Sequence, residues 1–138
     1  MNRTIKFRGK SLLTKKWLYG LPVRTINGTY VVATADKDGN IRLNEADKVD
    51  EDSVGEYTNM SDNRGREIYE GDILEYYNHR YVVECIGSNF CLNAMDEKKS
   101  DFLQQMTNGM SLHQLSDINV FYEVVGNTFD NKNSNKNE

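Results

Sequence analysis

The Asn27-Gly28 step, set between residues 22–26 and 29–35, is the most restrictive local signal in the chain. Asn-Gly accepts the positive φ angles of a two-residue type I′ turn, whose twist matches that of the strands it joins. The flanking stretches are rich in Val, Thr and Tyr, so together they predict a β-hairpin. Alternation with a period of two recurs elsewhere. Ile5 and Phe7 alternate with Lys6 and Arg8, and residues 16–20 place Trp17 and Tyr19 on one side as an antiparallel partner. Residues 36–40 read as a turn into a short strand at 41–44. Residues 72–77 and 80–86 form a second expected hairpin about Asn78-His79, and 87–89 turn into a strand at 89–93. A chain so patterned is mainly β.

One helix is expected near residues 100–107, where Ser100 caps and Phe102, Leu103 and Met106 share a side before Asn108-Gly109 stops it. Residues 45–52 hold five acids and one lysine and read as a solvated connector or one helical turn. Residues 120–129 carry apolar side chains on both faces, which suggests a strand buried on both sides and closure of a small barrel. Residues 130–138 contain no apolar residue and are expected to be a disordered tail. The acidic, turn-rich stretch 45–66 divides the strands, so two small β units are expected, residues 1–60 and 61–129.

The net charge of −4 is unevenly spread: residues 1–20 hold six basic residues and no acid, leaving 11 basic and 21 acidic residues elsewhere. A basic face of that kind suits phosphate or an acidic protein surface, while in the bland alternative the two charged parts neutralise each other across one sheet. No run approaches the 18 apolar residues of a membrane-spanning helix, and the opening residues lack an apolar stretch of signal length, so a cytoplasmic protein is expected. Two cysteines in that setting are expected as thiols.

The chemistry-bearing residues exclude more than they specify. His79, Cys85, Cys91 and His113 are all the His and Cys in the chain, and their spacing lacks the short knuckles of a zinc site. No glycine-rich phosphate loop is present, so neither metal nor nucleotide cofactor is expected. Ser111, His113 and Asp117 share a neighbourhood but no nucleophile-elbow pattern, and nothing marks an enzyme. Binding is the better candidate. Lys6, Arg8, Lys15 and Lys16 interleave with Phe7, Trp17 and Tyr19, a mixture that neutralises phosphate and stacks bases. The same aromatics also alternate as core residues would. In a competing adaptor reading, exposed Tyr76, Tyr77 and Tyr81 anchor a peptide or a partner protein, with self-association through an edge strand as a variant.

Residues 53–74 carry a resemblance. Val54-Gly55-Glu56-Tyr57-Thr58, then Asp62, Gly65 and Glu67-Ile68-Tyr69-Glu70-Gly71-Asp72-Ile73, resemble the signature of the YopX family of phage and prophage proteins. Ile5-Lys6-Phe7-Arg8 with Trp17-Leu18-Tyr19-Gly20 resembles the family's opening KFRAW and YG pattern, and Tyr122-Glu123-Val124-Val125-Gly126-Asn127 resembles its EVIGN strand. The departure is Gly9-Lys10, where the family has a small residue, an aromatic and Asp. The resemblance implies a mainly β fold with an SH3-like small barrel in the C-terminal part. It also implies an accessory protein of uncharacterised role, acting in phage replication or host control, and it brings no catalytic residues. Gly71 and Asp72 suit a sharp turn into the strand that follows.

Overall fold

The computed structural model describes residues 3–33, 35, 37–95, 108–118 and 120–136, with side chains described up to residue 132. The chain divides into two compact units, Met1–Tyr57 and Thr58–Glu138. Both are built on antiparallel strands.

The first unit contains β1 (Phe7–Lys10), β2 (Trp17–Thr25), β3 (Gly28–Val32), β4 (Lys48–Val49) and the start of β5 (Gly55–Ser61), in the order β4-β3-β2-β1-β5. β2 serves two partners in succession: Gly20 lies opposite Phe7 of β1, and the next residue, Leu21, lies opposite Val32 of β3. The crossover needs a glycine, because a Cβ at position 20 would fall 2.1 Å from the Val32 carbonyl oxygen. Gly9 is a second close approach. A Cβ there would meet Val31 at 2.9 Å and Val49 at 3.0 Å, and its absence lets these two buried valines close over β1. Past β1, Ser11 bridges Val49, and its hydroxyl donates to the Ala46 carbonyl at 2.8 Å.

The first hairpin forms where the sequence predicts it, with its turn shifted. Ile26 and Asn27 occupy the turn, Thr25 pairs with Gly28, and neither Ile26 nor Asn27 has the positive φ of a type I′ turn. The Thr25 hydroxyl accepts from the Asn27 amide at 3.0 Å and donates to the Gly28 carbonyl at 3.1 Å, which holds this alternative. Residues 41–44 form no strand, and Ile41 and Leu43 are exposed. The pairing strand is β4, inside the acidic stretch, because Val49 is the apolar side chain there that can be buried against Val31 and Gly9. Short 3-10 turns at Glu45–Asp47 and Glu51–Ser53 flank it. Asp36, the first residue of the expected turn at 36–40, lies outside the described residues.

The second unit contains the end of β5, β6 (Glu67–Tyr69), β7 (Asp72–Tyr76), β8 (His79–Ile86), β9 (Asn89–Ala94), α1 (Leu112–Asp117), β10 (Glu123–Asn127) and α2 (Thr128–Lys136). Its four-stranded sheet runs β10-β7-β8-β9. The core joins Ile68, Leu74, Tyr76, Tyr81, Val83, Leu92 and Tyr122 to Leu112 and Leu115 of α1. The expected double-sided burial of 120–129 is not found. Tyr122 is buried, but Phe121, which precedes β10, and Val125, at the bulge between Val124 and Gly126, are exposed. Among the described residues no strand pairing closes this sheet into a barrel.

Two helices differ from expectation and a third falls out of view. The segment 100–107 lies outside the described residues. The helix α1 was not foreseen, although Ser111 and Gln114 form a capping box: the Ser111 hydroxyl accepts the Gln114 amide and the Gln114 side chain accepts the Ser111 amide. The stretch expected as a tail from residue 130 continues α2 through Lys136. The asparagine before it explains the start, since Asn127 Oδ1 accepts the Asp130 amide at 2.8 Å.

Candidate functional site

The register of the first unit sorts its charges. Residues opposite one another in an antiparallel pair share a face, and so do alternate residues along a strand. Lys6, Arg8 and Lys10 therefore form one row, with Tyr19 opposite Arg8 and Trp17 opposite Lys10. On the other side of β1 the Tyr57 amide donates to the Lys6 carbonyl at 2.8 Å. The Lys6 ammonium lies 4.8 Å from the Tyr57 ring centroid. The Arg8 guanidinium lies 4.6 Å from the Trp17 ring, and the Lys10 ammonium 5.5 Å from it. Phe7, Trp17 and Tyr19 stay out of the buried set and Tyr19 is 48% exposed, whereas Arg8 is buried, 8% exposed, so Lys6 and Lys10 are the accessible cations of the row and Arg8 underlies the Trp17 ring. Cation and aromatic alternate across three strands on a single face.

Lys15 and Lys16 do not join that row. Both are exposed in the β1–β2 turn, and the Ser11 amide donates to the Lys16 carbonyl at 2.9 Å, which puts Lys16 opposite Ser11 and on the face of Gly9. The residue that completes the row, Lys10, was missed. Its signal was the period of two that already linked Lys6 and Arg8, obscured by Gly9 between them.

In the second unit the family-like motif maps onto a turn. The buried Asp62 carboxylate accepts the amides of Arg64 and Arg66 through Oδ1 and of Val124 through Oδ2, at 2.8 to 2.9 Å. Burial works against its charge, but those three amides and the Arg66 guanidinium outweigh it and hold the carboxyl below the ordinary carboxylate value. Asp72, also buried, accepts the Tyr69 amide at 2.8 Å across the β6–β7 turn, where Gly71 sits at φ 92°. These residue types serve the backbone.

The tyrosines proposed as anchors separate. Tyr76 and Tyr81 are core residues, 3% and 0% exposed, because alternation along β7 and β8 turns them inward with Leu74 and Val83. Only Tyr77 is exposed. With Glu75, Asn78, Phe121 and Glu123 it lines a depression of about 390 Å³. Burial raises the Tyr76 hydroxyl above its ordinary value, with a smaller contribution from Tyr77.

The remaining candidates disperse. Ser111 caps α1, and His113 projects from that helix to solvent. Among the described residues no group of His, Cys, Asp or Glu is arranged to hold a metal ion. Cys85 lies opposite Phe90 and Cys91 opposite Glu84, so the two thiols point to opposite faces of the sheet, and neither is in a disulfide. No helix among the described residues is long and apolar enough to cross a membrane. A sequence model of the family described as YopX protein matches residues 6–134. No curated protein matches the chain.

Proposed function

The chain belongs to the YopX family, and on that premise we propose a non-enzymatic module that holds single-stranded nucleic acid on the cation and aromatic face of its N-terminal unit. The observation that carries this reading is the register that lines up Lys6 and Lys10 on either side of the buried Arg8 and beside Tyr57, Tyr19 and Trp17. Cations in a row follow a phosphate backbone, and aromatic faces between them accept bases without regard to sequence. Lys15 and Lys16, at the end of the same hairpin, add charge to the encounter rather than to the stacking face. In this reading the protein is a phage or prophage accessory, which the family match supports, working in the bacterial cytoplasm, and its C-terminal sheet is an SH3-like unit.

The test is anisotropy of labelled single- and double-stranded oligonucleotides at two salt concentrations. Micromolar binding that weakens steeply with salt is expected, with single strands preferred. The double variant Lys6→Glu, Lys10→Glu should weaken it at least tenfold and flatten the salt dependence. Binding unchanged by that variant, or no binding at low salt, overturns the reading.

A further inference from the structure

The β7–β8 turn holds a strained aromatic residue. Tyr77 and Asn78 sit at φ 50° and 64°, the left-handed pair of a type I′ turn, which Gly and Asn fill with least cost. A tyrosine in that conformation is sterically disfavoured, and such outliers concentrate at functional sites. The residue is 63% exposed, its ring supported edge-on by Tyr76 at 4.7 Å between centroids. Across the depression stands Phe121, 55% exposed, two residues before β10 pairs with β7.

A second costly arrangement sits at the same place. Glu75 and Glu123 lie directly opposite each other on β7 and β10, a like-charge pair that opposes sheet pairing. The strained and exposed Tyr77, the exposed Phe121 and these two facing carboxylates line one 390 Å³ depression. Ligand binding accounts for their presence together.

The lining also defines the ligand. Carboxylates beside aromatic faces hold a guanidinium or ammonium group by ion pairing and cation–π attraction. Arg64 already shows this chemistry: its Nε lies 2.6 Å from Glu123 Oε2 and its guanidinium 5.7 Å from the Phe121 ring. Glu75 pairs with Arg80 at 3.3 Å. Both arginines are more than half exposed, and a carboxylate has further lone pairs to offer, so an incoming cation shares these acids rather than displacing a buried pair. Residues 58–138 carry seven basic and 13 acidic residues, which favours approach of a positive partner. We propose that this depression docks an arginine- or lysine-bearing segment of a partner protein, its cationic head between Tyr77 and Phe121 and paired with Glu75 and Glu123. The site is separate from the nucleic-acid face and stands or falls without it.

The experiment uses the full chain and three fluorescein-labelled glycine-spaced peptides, carrying arginine, glutamate or leucine, read by polarisation. The arginine peptide should bind at least tenfold more tightly than the other two, and Glu75→Gln or Phe121→Ala should weaken it at least fivefold. Tyr77→Gly is the separating variant. It relieves the turn, so the melting temperature should rise while arginine-peptide binding falls. A lowered melting temperature, unchanged binding in Tyr77→Gly, or equal binding of the three peptides overturns the proposal.

Discussion

Val124 donates its amide to the Asp62 carboxylate at 2.9 Å, joining residues 62 positions apart in the chain. Beside this bond, Asn63 Oδ1 accepts the Tyr122 amide at 2.8 Å, and Arg66 donates to the Val124 carbonyl at 3.0 Å. The turn after β5 thus covers the outer edge of β10, whose backbone groups would otherwise invite another strand.

Asp62→Ala should be among the most damaging single changes in the second unit. It leaves three amides without their acceptor, and charge-assisted bonds of this kind are worth about 1.5–3 kcal/mol each before relaxation. A net loss of about 3 kcal/mol is expected in urea unfolding. A loss below about 1 kcal/mol would show that water replaces the carboxylate.

The same carboxylate sets an acid limit. Its folded pKa lies below the ordinary 3.8, so its stabilising contribution is fully present above that value and is lost as pH falls through the folded pKa. Wild type and Asp62→Asn should therefore differ most at neutral pH and converge in stability below pH 3.8. Parallel stability curves across that range would refute the linkage.

Gly20→Ala tests the point where β2 changes partner. With the new Cβ 2.1 Å from a backbone oxygen, no side-chain adjustment relieves the clash. A loss of about 3 kcal/mol or more is expected, seen as a lowered melting temperature. Gly9→Ala, which meets valine side chains at 2.9 to 3.0 Å, should cost less, about 1–3 kcal/mol.

Tyr81→Phe and Tyr81→Ala separate a packing role from a binding role. The ring is wholly buried, so the alanine variant should lose about 3–5 kcal/mol. The phenylalanine variant keeps the ring's packing and should lose far less. A stable, folded Tyr81→Ala would show that this buried ring contributes little to the core.

Trp17 is the only tryptophan, held between Arg8 and Lys10 on the proposed interface. Titration with oligothymidine should quench its emission in step with the anisotropy change, and Arg8→Leu should alter the emission before any ligand is added. Anisotropy that saturates with Trp17 emission unchanged would move the nucleic acid elsewhere.

Local alternation was legible in the sequence and turn geometry was not. The pairing of β2 with β3 and of β7 with β8 follows from periods of two, but both turns fall one residue earlier than Asn-Gly and Asn-His suggest. Thr25 explains the first shift through its hydroxyl bonds, a side-chain effect that pattern reading does not weigh. Residues 120–129 misled because hydrophobicity reports what a residue tolerates, while the bulge near Val125 decides which face it meets. The capping box of α1 is legible in Ser111 and Gln114, three residues apart. For the basic face, Lys6 and Arg8 were legible from alternation, whereas the Trp17 and Tyr57 contacts depend on pairing with β2 and β5, which a single strand does not encode.

The opposite facing of Cys85 and Cys91 has a practical side. Within one chain the sheet keeps their sulfurs on different surfaces, so air oxidation can link molecules to each other but cannot staple β8 to β9. Cys85, the exposed one, is the natural attachment point for a maleimide dye or spin label, with Cys91 reacting more slowly. A covalent dimer on a non-reducing gel should then form chiefly through Cys85 and be suppressed by Cys85→Ser.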